Sequence, residues 1–187
     1  AHEVLRHMWL LSYLAVEPLG ICAQALVAGA LGNDRPGEAR EVAARLLQLA
    51  LAGGCATAAG LLVLGPVYTQ VAAPSPAVAA EVGSALPLIA AFMPLDAVMT
   101  VADSVLFGAR DHAYAARGMV VAAGLSLTCL LAVRRLGPGG SVSAVWACLK
   151  VLSTARVINS TARLQDEGRS PVGGALFPQP TEMSPEE

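Results

Sequence analysis

Five apolar runs, covering residues 8–31, 42–64, 83–107, 115–133 and 141–158, are separated by short polar or glycine- and proline-bearing breaks. Each approaches or exceeds the ~20 residues a helix needs to cross a hydrocarbon core about 30 Å thick. None alternates apolar and polar positions as a half-buried strand does. The pattern predicts an all-α fold, a polytopic membrane helical bundle of about five transmembrane helices, because helices satisfy their own backbone groups in lipid.

The breaks carry stop and start chemistry. Gly32, Asn33 and Asp34 close the first run, and Pro36 stands at the next helix start. Gly65 and Pro66 read as a turn after the second run, followed by a new start with Ser75 as N-cap and Pro76 at the first helical position. Arg110, Asp111, His112 and Arg117 make the third connection, and Arg134 and Arg135 with the glycines and proline of 137–140 make the fourth. Two sets of small residues spaced by four, Ala52, Ala56 and Gly60, then Gly118, Ala122 and Ser126, predict ridges for close helix packing in lipid. Residues 1–164 form the transmembrane unit, and 165–187, rich in Pro, Gly, Ser and Glu, read as a disordered polar tail.

Composition agrees with a membrane chain: of 187 residues 55% are hydrophobic and 14% charged, against about 25% charged in soluble domains. The net charge of -2 and the scattered Lys and Arg give nucleic acid no basic patch to bind. Cys22, Cys55, Cys129 and Cys148 lie singly in apolar runs, without metal or redox spacing. The opening AHEVLRH lacks an initiator Met and is neither a signal nor a transit sequence, so it reads as an internal start. Alternating the connections across a bilayer puts Arg35, Arg40, Arg45, Arg110, Arg117, Arg163 and Arg169 on one side, against Arg6, Arg134 and Arg135 on the other. The positive-inside rule assigns the first group to the cytoplasmic or equivalent face.

The third run carries the candidate chemistry. It holds two carboxylates, Asp96 and Asp103, and two internal prolines, Pro87 and Pro94. A spacing of seven is nearly two turns, so both acids project from one helix face. An acid at membrane depth is costly and marks a functional site, as a group that exchanges a proton or holds a small cation. A protonated Asp96 against neighbouring backbone, or an Asp103 solvated by the polar loop, is the plainer alternative. Pro94, two residues before Asp96, and Pro87 are candidate kinks. Glu17 stands roughly 14 Å into the first run, and Lys150 is comparably deep in the fifth. Lys150 either snorkels to an interface or pairs with Asp96, Asp103 or Glu17. Trp9 and Trp146 are expected in the interfacial belt, and His2, His7 and His112 near span ends. The acid spacing does not fit the one-turn carboxylate pattern of membrane phosphotransferases. With no nucleophile triad, HExxH or P-loop either, the sequence does not read as an enzyme.

AHEVLRH, CAQALVAGALG, ALPLIAAFMPLDAVMTVADSVLFGARDHAYAARG and SAVWACLKVLSTARVI together resemble the second half of a multidrug and toxic compound extrusion (MATE) transporter, in particular its plant plastid-type branch. Ala1 and His2 match that branch's AHQ at the end of span seven, with Glu3 in place of Gln. Ala23, Gln24, Ala25 and Leu26 match its AQAL, and Glu17 falls where it has Asp. Asp103 falls on the Asp of its FDG, with Ala102 and Ser104 replacing Phe and Gly. Gly108, Asp111, Tyr114 and Ala115 keep their places, and Asp96 falls on an acid of bacterial members implicated in cation coupling. Lys150 departs from both patterns.

The resemblance implies most of one six-helix C-terminal lobe, whose partner would be the N-terminal lobe of the same protein. The implied activity is secondary antiport: export of organic solutes or metabolites in exchange for H⁺ or Na⁺, with no other cofactor. Asp96, Asp103, Glu17 and Lys150 would serve cation coupling or the transport pathway. The implied location is an integral membrane, the plastid envelope or else the vacuolar or plasma membrane. The alternative is a non-transporting membrane interaction protein, or a truncated half-transporter.

Overall fold

The computed structural model describes residues 1–135, 141–166 and 168–177. Among them are five α-helices: α1 (His2–Gly32), α2 (Pro36–Ala72), α3 (Pro76–Gly108), α4 (His112–Arg135) and α5 (Val142–Gln165). All five are long and apolar enough to cross a membrane. The bundle is all-α, as the hydropathy pattern predicts.

Four of the helix boundaries follow the expected chemistry. The Ser75 hydroxyl accepts from the Val78 N–H at 3.4 Å with Pro76 behind it, and Ser141 accepts from the Ala144 N–H at 3.2 Å. The ends of α1 and α3 share one device. The Arg35 N–H donates to the Ala30 carbonyl at 3.0 Å and the Asp111 N–H to the Leu106 carbonyl at 2.9 Å. The residues just before them, Asp34 and Arg110, sit at φ 56° and 61°. These are Schellman caps with a side chain where glycine is usual.

The second boundary differs from expectation. Gly65 and Pro66 do not end α2, which continues to Ala72. A proline costs a helix one hydrogen bond, but the residues after it remain packed: a Cβ on Gly65 would stand 2.7 Å from Leu86, and Thr69 is buried. α3 likewise runs through Pro87 and Pro94 without interruption. His2 and Glu3 belong to the first turn of α1, with Ala1 at its N-cap.

α3 is the axis of the bundle. It packs on α1, α2 and α5 and touches α4, while α4 leans chiefly on α5. Glycines permit the closest approaches: a Cβ on Gly20 would meet Ser104 and Thr100, one on Gly108 would meet the Gln24 backbone, and one on Gly54 would meet Pro94. The buried residues of α4 are Ala115, Gly118, Ala122 and Ser126, which is the predicted small ridge. The ridge expected on α2 is displaced. Ala52 and Ala56 are exposed, and the packed line runs instead through Ala39, Ala43, Ala50 and Gly54. Small residues surround α2 on every side between 50 and 60, so spacing alone does not select the face.

Outward, α1, α2 and α4 present Leu14, Ile21, Leu64, Val71, Val120 and Leu127. An apolar surface with the ion-paired charges turned into the bundle is the partition a bilayer demands. Part of the supposed disordered tail is built in. Residues 168–177 turn back at Gly173 and Gly174, bury Val172 and Leu176 among residues of α1, α2 and α3, and pair the Leu176 N–H with the Leu164 carbonyl at 3.1 Å. The apolar residues within VGGALF supply the burial that its polar surroundings conceal. Residue 167 and residues 178–187, also assigned to that tail, lie outside the described residues.

Candidate functional site: a ladder of ion pairs between α3 and α5

α3 and α5 run parallel, and three acids on or just after α3 meet three bases on α5 in the same order. Asp96 pairs with Lys150, Asp103 with Arg156, and Asp111 with Arg163. The acids are seven and eight residues apart and the bases six and seven, so each rung recurs after about two turns, roughly 10 Å.

Burial increases along the ladder. The Asp111 and Arg163 side chains are 18% and 23% exposed, those of Asp103 and Arg156 10% and 20%, and those of Asp96 and Lys150 1% and 3%. The outer rung, at the bundle end that carries the α3–α4 turn, has Arg163 Nε donating to Asp111 Oδ2 at 2.7 Å. The same guanidinium lies 4.9 Å from the ring centroid of Tyr114, whose hydroxyl donates to the Asn159 carbonyl at 3.1 Å.

The middle rung is closed. Arg156 donates to Asp103 Oδ2 through Nε at 3.0 Å and Nη2 at 2.5 Å, and Ser160 donates to Oδ1 at 2.5 Å. Both carboxylate oxygens are satisfied, the condition under which a buried pair repays the desolvation of its ions.

The inner rung is both deeper and less complete. Asp96 Oδ2 accepts from Lys150 Nζ and from Trp9 Nε1, the latter at 2.9 Å. Asp96 Oδ1 is buried and accepts from nothing among the described residues, and neighbouring Trp146 has a buried Nε1 with no partner among them. Lys150 Nζ stands 5.6 Å and 5.7 Å from the ring centroids of Trp9 and Trp146. Thr100 donates to the Asp96 carbonyl at 2.9 Å, tying the acid's own turn of helix. Two apolar clusters flank this rung, one ending at Met93 and Trp146, the other beginning at Ala97.

The structure thus puts Asp96 and Lys150 in contact, selecting pairing over snorkelling for Lys150. Asp103 is engaged on both oxygens rather than solvated by the loop. Glu17 does not join the ladder: it is half-buried in α1 and has no ion-pair partner among the described residues. Trp9 and Trp146 stand against the inner rung, with Lys150 Nζ near both rings. Arg156 and Ser160 are the residues that sequence reasoning passed over. The signal was present in the near-equal spacing of Lys150, Arg156 and Arg163 to that of the three acids.

Five membrane-crossing helices around a charged, ion-paired interior define an integral membrane helical bundle. Residues 1–153 match the MatE family, and the chain belongs to that family. It is 29% identical to Protein DETOXIFICATION 43 of Arabidopsis thaliana over 164 residues, which are 88% of this chain and 31% of that protein. Protein DETOXIFICATION 42 of the same plant is 33% identical over 135 residues, 70% of this chain and 25% of the relative. Protein DETOXIFICATION 45, chloroplastic, also from Arabidopsis thaliana, is 28% identical over 168 residues, 88% of this chain and 29% of the relative. The chain therefore spans less than a third of the length of each of these three. No solved structure matches it.

The family-like positions come together in space. Gly108 packs on the backbone of Gln24, so the AQAL stretch and the end of α3 form one contact. Asp103, Asp111 and Tyr114 are all held by α5.

Proposed function

We propose that the chain is part of a secondary antiporter that exports an organic solute or metabolite against an inward flow of H⁺ or Na⁺. Its residues 1–164 would act as a C-terminal lobe beside an N-terminal lobe. The observation that carries this reading is the inner rung: a carboxylate almost wholly removed from water, held by one flexible ammonium and the Trp9 N–H, with one oxygen left without a donor among the described residues. Neutralising Asp96 removes the attraction that holds Lys150 and frees α3 to move relative to α5. A proton does this directly. Sodium would need several oxygens about the acid, and tryptophan and lysine supply none, so the donor set favours H⁺. Membership of the MatE family supports transport.

Asp103, with both oxygens occupied, is the pathway acid that anchors α5 while Asp96 changes charge. Pro94 sits two residues before Asp96 and frees the Ala90 carbonyl from its helical donor. It is the point at which α3 would bend, with Pro87 a second. Glu17 is a further pathway candidate on α1. The chloroplastic name of Protein DETOXIFICATION 45 supports a plastid envelope location.

The test is gradient-driven uptake by the full-length protein in liposomes. Asp96→Asn is expected to abolish coupling to an imposed pH gradient and Asp103→Asn to lower uptake. Unchanged uptake in both variants would show that the coupling assignment is wrong.

A further inference from the structure

We propose that Lys150 is a tethered ligand: its ammonium occupies an alkylammonium site built from Trp9, Trp146 and Asp96, and the tether keeps free cations of that class out. This rests on the same inner rung as the transport reading, but it concerns what fills the site rather than what is moved.

The arrangement has the parts of an ammonium cage. Two indole faces stand 5.6 Å and 5.7 Å from Nζ, within the ~6 Å over which a cation is attracted to a ring. The carboxylate of Asp96 lies behind them, oriented by the Trp9 Nε1 hydrogen bond at 2.9 Å. A primary ammonium has three donors. Lys150 spends one on Asp96 Oδ2 and leaves Oδ1 unpartnered, so the carboxylate has capacity for a ligand placed less rigidly than a side chain.

The choice of base at each rung points the same way. The outer rungs use guanidinium forks, Arg156 with two nitrogens on one oxygen of Asp103. Only the rung between the tryptophans uses a compact ammonium. An arginine fork is planar and extended, whereas a point-like ammonium fits between two rings. A cavity of about 270 Å³, lined by Trp9, Trp146, Leu149, Lys150 and Ser153 among others, adjoins the Lys150 stem. It leaves room for the hydrocarbon part of a small amine.

A covalently tethered group acts at an effective concentration in the millimolar range or above. A small free amine, binding on the order of 1–10 mM at best, does not displace it. Lys150 thereby sets specificity: alkylammonium cations, unlike a proton, gain access to Asp96 only when the lysine is withdrawn.

The chain's two tryptophans both belong to the cage, so their fluorescence reports it alone. In the full chain in lipid nanodiscs, ethylammonium titrated into Lys150→Ala is expected to change the emission saturably. The wild type and Lys150→Ala/Asp96→Asn should show no saturable change over the range of about 1–10 mM in which Lys150→Ala responds, where the free amine does not exceed the tethered ammonium. A folded Lys150→Ala that does not respond, or a wild type that responds equally, overturns the proposal. If Lys150→Ala does not fold, it is produced with ethylammonium present. Recovery of folded protein supports a vacated ammonium site, and no recovery overturns it. The titration needs no gradient, so its failure leaves the transport reading standing, and loss of transport leaves the cage standing.

Discussion

Gly54 of α2 and Pro94 of α3 approach so closely that a Cβ on Gly54 would lie 2.5 Å from the Pro94 Cα, 2.9 Å from the Ala97 Cβ and 3.0 Å from the Met93 carbonyl. Two of these three atoms are backbone and cannot rotate away. The contact lies at the level where α3 turns Asp96 toward α5, so the α2–α3 spacing there fixes how far the inner rung is from the helix behind it.

Gly54→Ala is therefore expected to destabilise the bundle by about 1–3 kcal/mol, the usual cost of overpacking. Gly60→Ala, six residues further along the same helix and with nothing within 4 Å of its Cβ, should fall within about 0.5 kcal/mol of wild type. Thermal unfolding in detergent, followed by dye labelling of the buried thiol of Cys148, measures both. Equal effects would place the close approach elsewhere.

The middle rung makes a sharper demand. Arg156→Met leaves Asp103 with Ser160 alone, in a site only 10% exposed. Breaking a buried pair from one side costs about 3–5 kcal/mol, while removing both charges costs far less. Arg156→Met with Asp103→Asn is thus expected to be more stable than Arg156→Met alone. The same unfolding assay reads the difference, and simple additivity of the two changes would contradict a direct ion pair.

Much of this was legible in the sequence because hydropathy and capping chemistry are local. The five spans, the Ser75 cap and the small ridge of α4 each follow from residues within one or two turns. The acids were legible too, since a carboxylate in an apolar run is conspicuous. Their partners were not. Arg156 lies near the end of an apolar run where an arginine passes for an interfacial charge, and only the parallel packing of α5 on α3 turns it inward to Asp103. The continuation of α2 past Pro66 has the same origin, because Leu86 on another helix fills the space beside Gly65. The α2 ridge was misplaced because small residues are too common there for period four to discriminate.

At Arg110, φ 61° imposes on a long side chain a conformation that glycine adopts without strain. The left-handed region costs an ordinary residue about 1–2 kcal/mol, and glycine returns part of this as unfolded-chain entropy. Arg110→Gly is expected to stabilise the chain by about 0.5–1 kcal/mol, raising its unfolding temperature by a few degrees. Arg110 makes no ion pair among the described residues, so nothing is lost in exchange. A fall in unfolding temperature would show that the guanidinium is engaged.

The segment 168–177 gives a test of how the end of the bundle closes. Val172 and Leu176 are buried with Leu164 and the apolar faces of α1, α2 and α3, and a Cβ on Gly173 would lie 2.7 Å from Pro36. Truncating a buried leucine costs about 2–5 kcal/mol where the site cannot collapse. Only the local packing of a short strap is at stake, so the loss should appear as local opening rather than global unfolding. Trypsin cleavage after Arg169, exposed but inside the strap, is therefore expected to be slow in the wild type and at least tenfold faster in Leu176→Ala, with the unfolding temperature nearly unchanged. Arg169 and Arg110 lie at the same end of the bundle, because α3 and α5 are parallel, while Arg134 lies at the other. Protease added to one side of sealed vesicles should therefore reach Arg169 and Arg110 together and spare Arg134. Cleavage at Arg134 from that side, with the vesicles intact, would contradict the alternation of the five helices.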